Sequence, residues 1–174
     1  NLIETCFKRN SFEPLQDMLK TTVPDRIKTS GSTLTIAKIS PGNCKFMWVG
    51  DSQAAIIRNG QIIFMTYGHD ASYVQNSEKD IPYIDNKKAR EYALHEKQRL
   101  QSFTKVASIV QGRLRNMQHG VEVTRSFGNT TLGDAMSIEP DFAEYDVVKN
   151  DSASIWKVIT NRYNNSAYPR LFEE

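Results

Sequence analysis

With 174 residues, 39% of them hydrophobic and 24% charged, the chain can bury one sizeable core, and a single domain over residues 1–174 is expected. A formal net charge of +2 is too mild for the clustered basic face that nucleic-acid binding needs, so no nucleic-acid partner is expected. No run of about 18 apolar residues occurs, and the first residues lack the basic-then-apolar order of a secretory signal; a soluble intracellular protein without a membrane segment is the expectation.

Leu2, Ile3, Cys6 and Phe7 recur at helical spacing, and Ser11 can cap a second helix with Phe12, Leu15, Met18 and Leu19 on one side. Pro24 breaks that pattern. The small residues at 29–32 lead into a strand over 33–39, where Leu34 and Ile36 alternate with polar residues until Pro41-Gly42-Asn43 turns the chain into a second strand over 45–49. Segments 54–58 and 61–66 flank Asn59-Gly60, whose residues tolerate the positive φ of a type I′ turn and so mark a hairpin.

Residues 87–103 form the longest helical pattern, with Ala89, Tyr92, Ala93, Leu100 and Phe103 on one side. Lys88, Arg90, Lys97 and Arg99 lie elsewhere, interleaved with Glu91 and Glu96, and this mixture reads as a solvated face rather than an RNA-binding one. Later strands are expected over 106–110, 121–124, 142–147 and 154–160, followed by an irregular tail over 163–174. Trp48 and Trp156 fall inside strand patterns and read as core. Cys6 and Cys44 have no ligand or disulfide spacing, and His95 and His119 stand apart from any cluster of ligating residues. The sequons at Asn129 and Asn164 read as chance without a secretory signal.

Four motifs stand in a telling order: Ser30-Gly31-Ser32-Thr33; Val49-Gly50-Asp51-Ser52 with the Asn59-Gly60 hairpin; Val123-Thr124-Arg125-Ser126-Phe127-Gly128-Asn129; and Ser137-Ile138-Glu139-Pro140-Asp141. In order and spacing they resemble the metal-dependent protein Ser/Thr phosphatases of type 2C. The resemblance implies an α+β fold, an α/β/β/α sandwich of two antiparallel sheets flanked by helices. It also implies a pair of Mg²⁺ or Mn²⁺ ions at one end. Two such ions about 4 Å apart need several carboxylates, because hard cations take oxygen ligands and must activate a water for attack on phosphorus.

The family's first metal acids come from N-terminal strands and an Asp-Gly-His-Gly-Gly motif, and no Asp-Gly pair occurs among the 174 residues. The expectation is therefore a domain lacking those strands. By the same resemblance, Asn161 stands for the later bridging aspartate, Arg162 for its glycine and Asn165 for the second aspartate of that motif. Asn129 replaces the aspartate of Phe-Gly-Asp, and Gln53 replaces the arginine after Gly-Asp-Ser. Each exchange of carboxylate for amide removes the Coulomb attraction that offsets dehydration of Mg²⁺.

Asp51 keeps the expected acid and is read as a support of its turn. His69-Asp70 sits where active relatives have Asp-His, in reversed order, and is read as a surface loop. Arg125 is read as tying strands together, and Glu139 and Asp141 as a turn about Pro140. The remnant-site candidates are thus Asp51, His69, Asn129, Asn161 and Asn165, with no catalytic or metal-binding residue expected and no cofactor. The functional expectation is a catalytically degenerate type 2C phosphatase-like protein that acts as a binding or structural module. A protein partner or self-association would cover the sheet side left open. The alternative is a partial chain of an active Mg²⁺- or Mn²⁺-dependent Ser/Thr phosphatase.

Overall fold

The computed structural model describes residues 1–78, 80–105 and 107–147, together with the backbone of a strand at Ser154–Val158. Helix α1 (Leu2–Arg9) starts where the Asn1 side chain accepts the Ile3 amide, and it ends at Asn10 in the left-handed conformation, φ 49°. Helix α2 (Glu13–Thr22) follows, the Ser11 hydroxyl accepting the Glu13 amide at 3.1 Å. A single further turn, α3 (Arg26–Thr29), forms after Pro24, where the sequence pattern shows only a break.

Strands β1 (Gly31–Ser32), β2 (Leu34–Ser40), β3 (Asn43–Val49), β4 (Gln53–Arg58) and β5 (Gln61–Met65) come next. Asn59 and Gly60 both take positive φ, 51° and 76°, and join β4 to β5 through the expected tight turn. Helices α4 (Ala71–Gln75) and α5 (Asn86–Gln101) precede β6 (Ser108–Val110), β7 (Arg113–Arg115), β8 (Gly120–Val121) and β9 (Phe127–Gly128). A 3-10 segment at Thr130–Ala135 leads to β10 (Asp141–Asp146) and β11 (Ser154–Val158).

Two antiparallel sheets carry the fold, in the orders β10-β3-β2 and β11-β4-β5. Strand β3 is buried on both faces, and its alternation assigns each side chain to one of two cores. Met47 and Val49, with Leu34 and Ile36 of β2, face α1 and α2 through Cys6, Phe12, Leu15 and Leu19. Phe46 and Trp48 point the other way, into the space between the sheets, where they meet Ala54 and Ile56 of β4. Phe64 of β5 lies 5.5 Å from Phe46 and 5.7 Å from Tyr145 of β10, so the two sheets face each other across one aromatic layer. Helices α4 and α5 insert Val74, Ala89, Tyr92 and Ala93 into the same core. The architecture is the expected α+β one, two antiparallel sheets with flanking helices.

Helix α5 departs from the sequence pattern at Glu96 and at Arg99, which pair with each other instead of facing solvent. Glu96, four residues after Tyr92 and four before Leu100, lies on the apolar stripe and is 0% exposed, not on the solvated face.

Phe12 is fully buried between α2 and the sheet, with its ring 5.3 Å from that of Phe127. The Phe12→Ala variant leaves a ring-sized void there and is expected to lose about 3–5 kcal/mol of stability. Urea unfolding followed by circular dichroism measures it, and a midpoint equal to that of the parent chain would refute the packing role.

Candidate functional site

Parts of the four motifs meet at one end of the sandwich, while the Asn59-Gly60 turn lies at the far end of β4 from Gly50-Asp51-Ser52. The pairing of Leu34 with Val49 sets Ser32-Thr33 beside Gly50-Asp51-Ser52. Thr33 and Ser52 join their hydroxyls at 2.7 Å, and Thr35 donates its hydroxyl to the Ser52 carbonyl. Gly50 has φ 92°, and a Cβ there would meet Thr33 Cγ2 at 2.1 Å, so glycine is required for the turn to pass this close to β2. Gly68 plays a similar part: a Cβ on it would lie 2.6 Å from an Asp70 carboxylate oxygen and 3.4 Å from Asp51 Cα, which places these two acids around one glycine. Asp51 itself is half-buried.

His69 stands at the centre and is 0% exposed, which corrects its reading as a surface loop residue. Its main chain is clamped from both sides, the amide donating to Gly50 and the carbonyl accepting from Thr124, each at 2.9 Å. The Gly50 amide also donates to His69 Nδ1 at 3.0 Å, so this nitrogen must carry a lone pair and the proton sits on Nε2. Nε2 in turn donates to Asp141 Oδ2 at 3.0 Å, and the Tyr67 hydroxyl donates to the same oxygen at 2.6 Å. Asp141 is therefore the first residue of β10 and the acceptor of two buried donors, not part of a free turn about Pro140.

A second buried cluster adjoins the first. Arg125, 3% exposed, donates through Nε and Nη2 to Glu96 Oε1 at 3.0 and 2.9 Å, while Arg99 donates to Glu96 Oε2 at 2.8 Å. The Arg125 guanidinium also lies 5.0 Å from the centre of the Tyr92 ring, 3.6 Å from Asp141 Oδ1 and 3.0 Å from the Glu139 carbonyl. Arg125 thus ties α5, β10 and the strand segment around itself together, and its donors are turned to protein acceptors.

These environments set the protonation states. Burial presses the His69 imidazole below its ordinary value of 6.5, in keeping with the amide donated to Nδ1. Burial alone would raise the Asp141 carboxyl, but the hydrogen bond from His69, the nearby Arg125 charge and the Tyr67 hydroxyl bring it down to about 2. Glu96 follows the same rule: its burial is outweighed by Arg99 and Arg125, and its carboxyl is lowered. Tyr67 and Tyr92 are raised by burial and stay protonated.

Among the sequence candidates, Asp51 and His69 share this end of the sandwich. Asn129 lies in the β1–β9 ladder instead, with φ 52°, its amide donating to the Ser30 carbonyl at 2.9 Å and its side chain to Ser126 Oγ at 3.0 Å. Gln53 donates to the Thr66 carbonyl at 2.6 Å and so joins β4 to the end of β5. Asn161, Arg162 and Asn165 lie outside the described residues. His95 is exposed and His119 half-buried.

A pair of hard divalent ions requires several oxygen ligands free to turn toward it. The acids brought closest to the buried centre, Asp141 and Glu96, are engaged by His69, Tyr67 and two arginines. Among the described residues no group of three or more His, Cys, Asp or Glu side chains could hold a metal ion. The described residues therefore do not fit a two-metal centre. Sequence reasoning missed Tyr67, Tyr92, Glu96 and Asp141; the signal available for Glu96 was its place on the apolar stripe of α5.

The family profile for Protein phosphatase 2C matches residues 4–79. A solved C. elegans sex-determining protein is similar at a TM-score of 0.55 and 19% identity, over 80% of this chain and 29% of that one. Serine-threonine phosphatase 2C from Toxoplasma gondii is similar at a TM-score of 0.53 and 16% identity, over 80% of this chain and 44% of that one. No curated protein sequence matches. The chain thus has a type 2C protein phosphatase fold, in part, and spans less than half the length of either solved structure.

Removing the Glu96 charge strands two arginines, one of them buried, so Glu96→Gln is expected to cost about 3 kcal/mol or more in urea unfolding at neutral pH. A loss below about 0.5 kcal/mol would mean that the cluster contributes only a surface-type pair. Acid should act through His69 before Asp141. The unfolded chain takes up a proton on this imidazole below pH 6.5 while the folded chain resists it. The His69 contribution is therefore complete above pH 6.5 and is lost as pH falls, with the Asp141 contribution following as pH falls from 3.8 toward about 2. His69→Gln should flatten the first part of this slope in urea midpoints measured across pH; an unchanged slope would place the sensitivity elsewhere.

Proposed function

We propose that this domain is a catalytically degenerate type 2C phosphatase-like module that binds a protein partner within a larger assembly. One observation carries the reading: the acids Asp141 and Glu96 are committed to buried donors, and no trio of ligating side chains forms among the described residues. Neutral Asn129 in the Phe-Gly-Asp position supports it, as do Asn161 and Asn165 at the sequence level. Each amide in place of a carboxylate removes negative charge that would stabilise a dehydrated divalent cation. A fold kept without its ion centre still presents shaped faces and strand edges, and these suit recognition. A soluble, intracellular setting goes with this reading.

A working phosphatase of which this chain is one piece is the second reading. Asp51 favours it, and so does the fact that the chain covers only 44% of the Toxoplasma gondii enzyme, which leaves room for ligands from residues outside the sequence given.

Calorimetric titration of the folded chain with Mn²⁺ at neutral pH separates the two. No binding heat up to millimolar Mn²⁺ is expected. Micromolar binding, accompanied by phosphate release from a phosphothreonine peptide, would overturn the binding-module reading in favour of the enzyme.

A further inference from the structure

Strand β10 pairs with β3 alone among the described strands, so one of its edges has no strand partner among them. Cavities lie on both sides of that edge. One of about 860 Å³ lies between α1 and the outer face of the first sheet, and Phe7 and Phe142 form part of its apolar lining. The other, of about 230 Å³, lies between β10 and the end of β5 beside the start of α5, and reaches Trp48, Phe64 and Tyr67 of the inter-sheet core. Phe142, Ala143, Glu144 and Lys88 line both. A strand added along β10 points successive side chains to opposite faces, and here each face has a cavity to receive them.

The charge of the larger cavity selects the occupant. Lys8, Lys38, Lys45 and Lys88 line it against two acids, Glu4 and Glu144. Glu144 is already held by Lys45 at 3.2 Å and by Asn43 Nδ2 at 2.9 Å, whereas Lys8, Lys38 and Lys88 have no ion-pair partner among the described residues. Phe142 is 39% exposed, a large aromatic left open on an edge strand. On the opposite face, Trp48 is 1% exposed, and its buried indole Nε1 has no hydrogen-bond acceptor among the described residues. A buried donor without a partner is costly, and a carbonyl or hydroxyl entering the smaller cavity is the group that would satisfy it.

We propose that the free edge of β10 takes an extended acidic polypeptide segment of a protein partner as an added strand. Its carboxylates face Lys8, Lys38 and Lys88 on one side, and its apolar side chains enter toward Trp48 on the other. This rests on the reading of the domain as a binding module and names the chemistry of what it binds. A second copy of the chain is the poorer occupant: in its own β10, Asp141 and Glu144 are already held by His69 and Lys45, which leaves Asp146 to answer three lysines.

The test uses the full 174-residue chain and a fluorescein-labelled peptide of four Glu-Val repeats, with a Lys-Val peptide of equal length as its control. Fluorescence anisotropy should show saturable binding of the acidic peptide only, weakening as salt is raised. The double variant Lys38→Glu, Lys88→Glu changes two exposed side chains and should bind about tenfold more weakly or worse while its circular dichroism is unchanged. Hydrogen exchange of the Asp141–Asp146 amides should slow when the acidic peptide is bound. Equal binding of both peptides, no binding of the acidic one, or protection confined to other strands would overturn the proposal. A concentration-dependent dimer in sedimentation that excludes the peptide would overturn it in favour of self-association. A Mn²⁺ titration of the same sample keeps the two readings apart. Metal binding defeats the binding-module reading whatever the peptide does, and a silent peptide with no metal binding defeats the edge-strand proposal alone.

Discussion

The buried contact between Arg125 and Glu96 is the constraint from which the closed end of the molecule is organised. A carboxylate with 0% exposure and a guanidinium with 3% are each prohibitive alone, and together they hold only with every donor and acceptor placed. Placement comes from four directions. Arg99 takes the second Glu96 oxygen, Tyr92 lies under the guanidinium, the Glu139 carbonyl takes one more donor, and Asp141 supplies a second negative charge nearby. Helix α5, the segment ahead of β9 and strand β10 are thereby held to one geometry. His69 and Tyr67 then complete the Asp141 shell from the loop after β5.

This arrangement bears directly on chemistry. Asp141 and Glu96 are turned inward and held by protein donors. The imidazole beside them is neutral, buried and clamped by main chain on both sides, so it positions its neighbours. What the domain offers to the outside is different in kind: exposed lysines, an exposed aromatic on an edge strand, and cavities that continue toward the core.

Much of the scaffold was legible in the chain because its causes are local. Asn59-Gly60 turns the chain through dihedral preferences confined to two residues, and the run over 45–49 reads as a strand before any partner is known. The apolar stripe of α5 was equally plain at Ala89, Tyr92, Ala93 and Leu100. Glu96 misled because a charged residue on such a stripe is ordinarily solvated, and its partner Arg125 lies 29 positions away. His69 misled for the same reason, since its acceptor Asp141 is 72 positions on and the intervening chain has no pattern that announces the contact. The short strands β1 and β9 depend on each other across a long stretch of chain, Gly31 pairing with Gly128, and carry no periodicity of their own.

By itself, then, the sequence marked the longer helices and strands, the Asn59-Gly60 hairpin and the resemblance to the type 2C phosphatases. All of these follow from propensity, alternation or residue identity, which act within a few positions. Only the tertiary structure decided which charges are buried, which carboxylates are consumed by neighbours, and which strand lies between two cavities. Those outcomes depend on desolvation and on pairing between residues distant in the chain, and neither exists until the layers have packed.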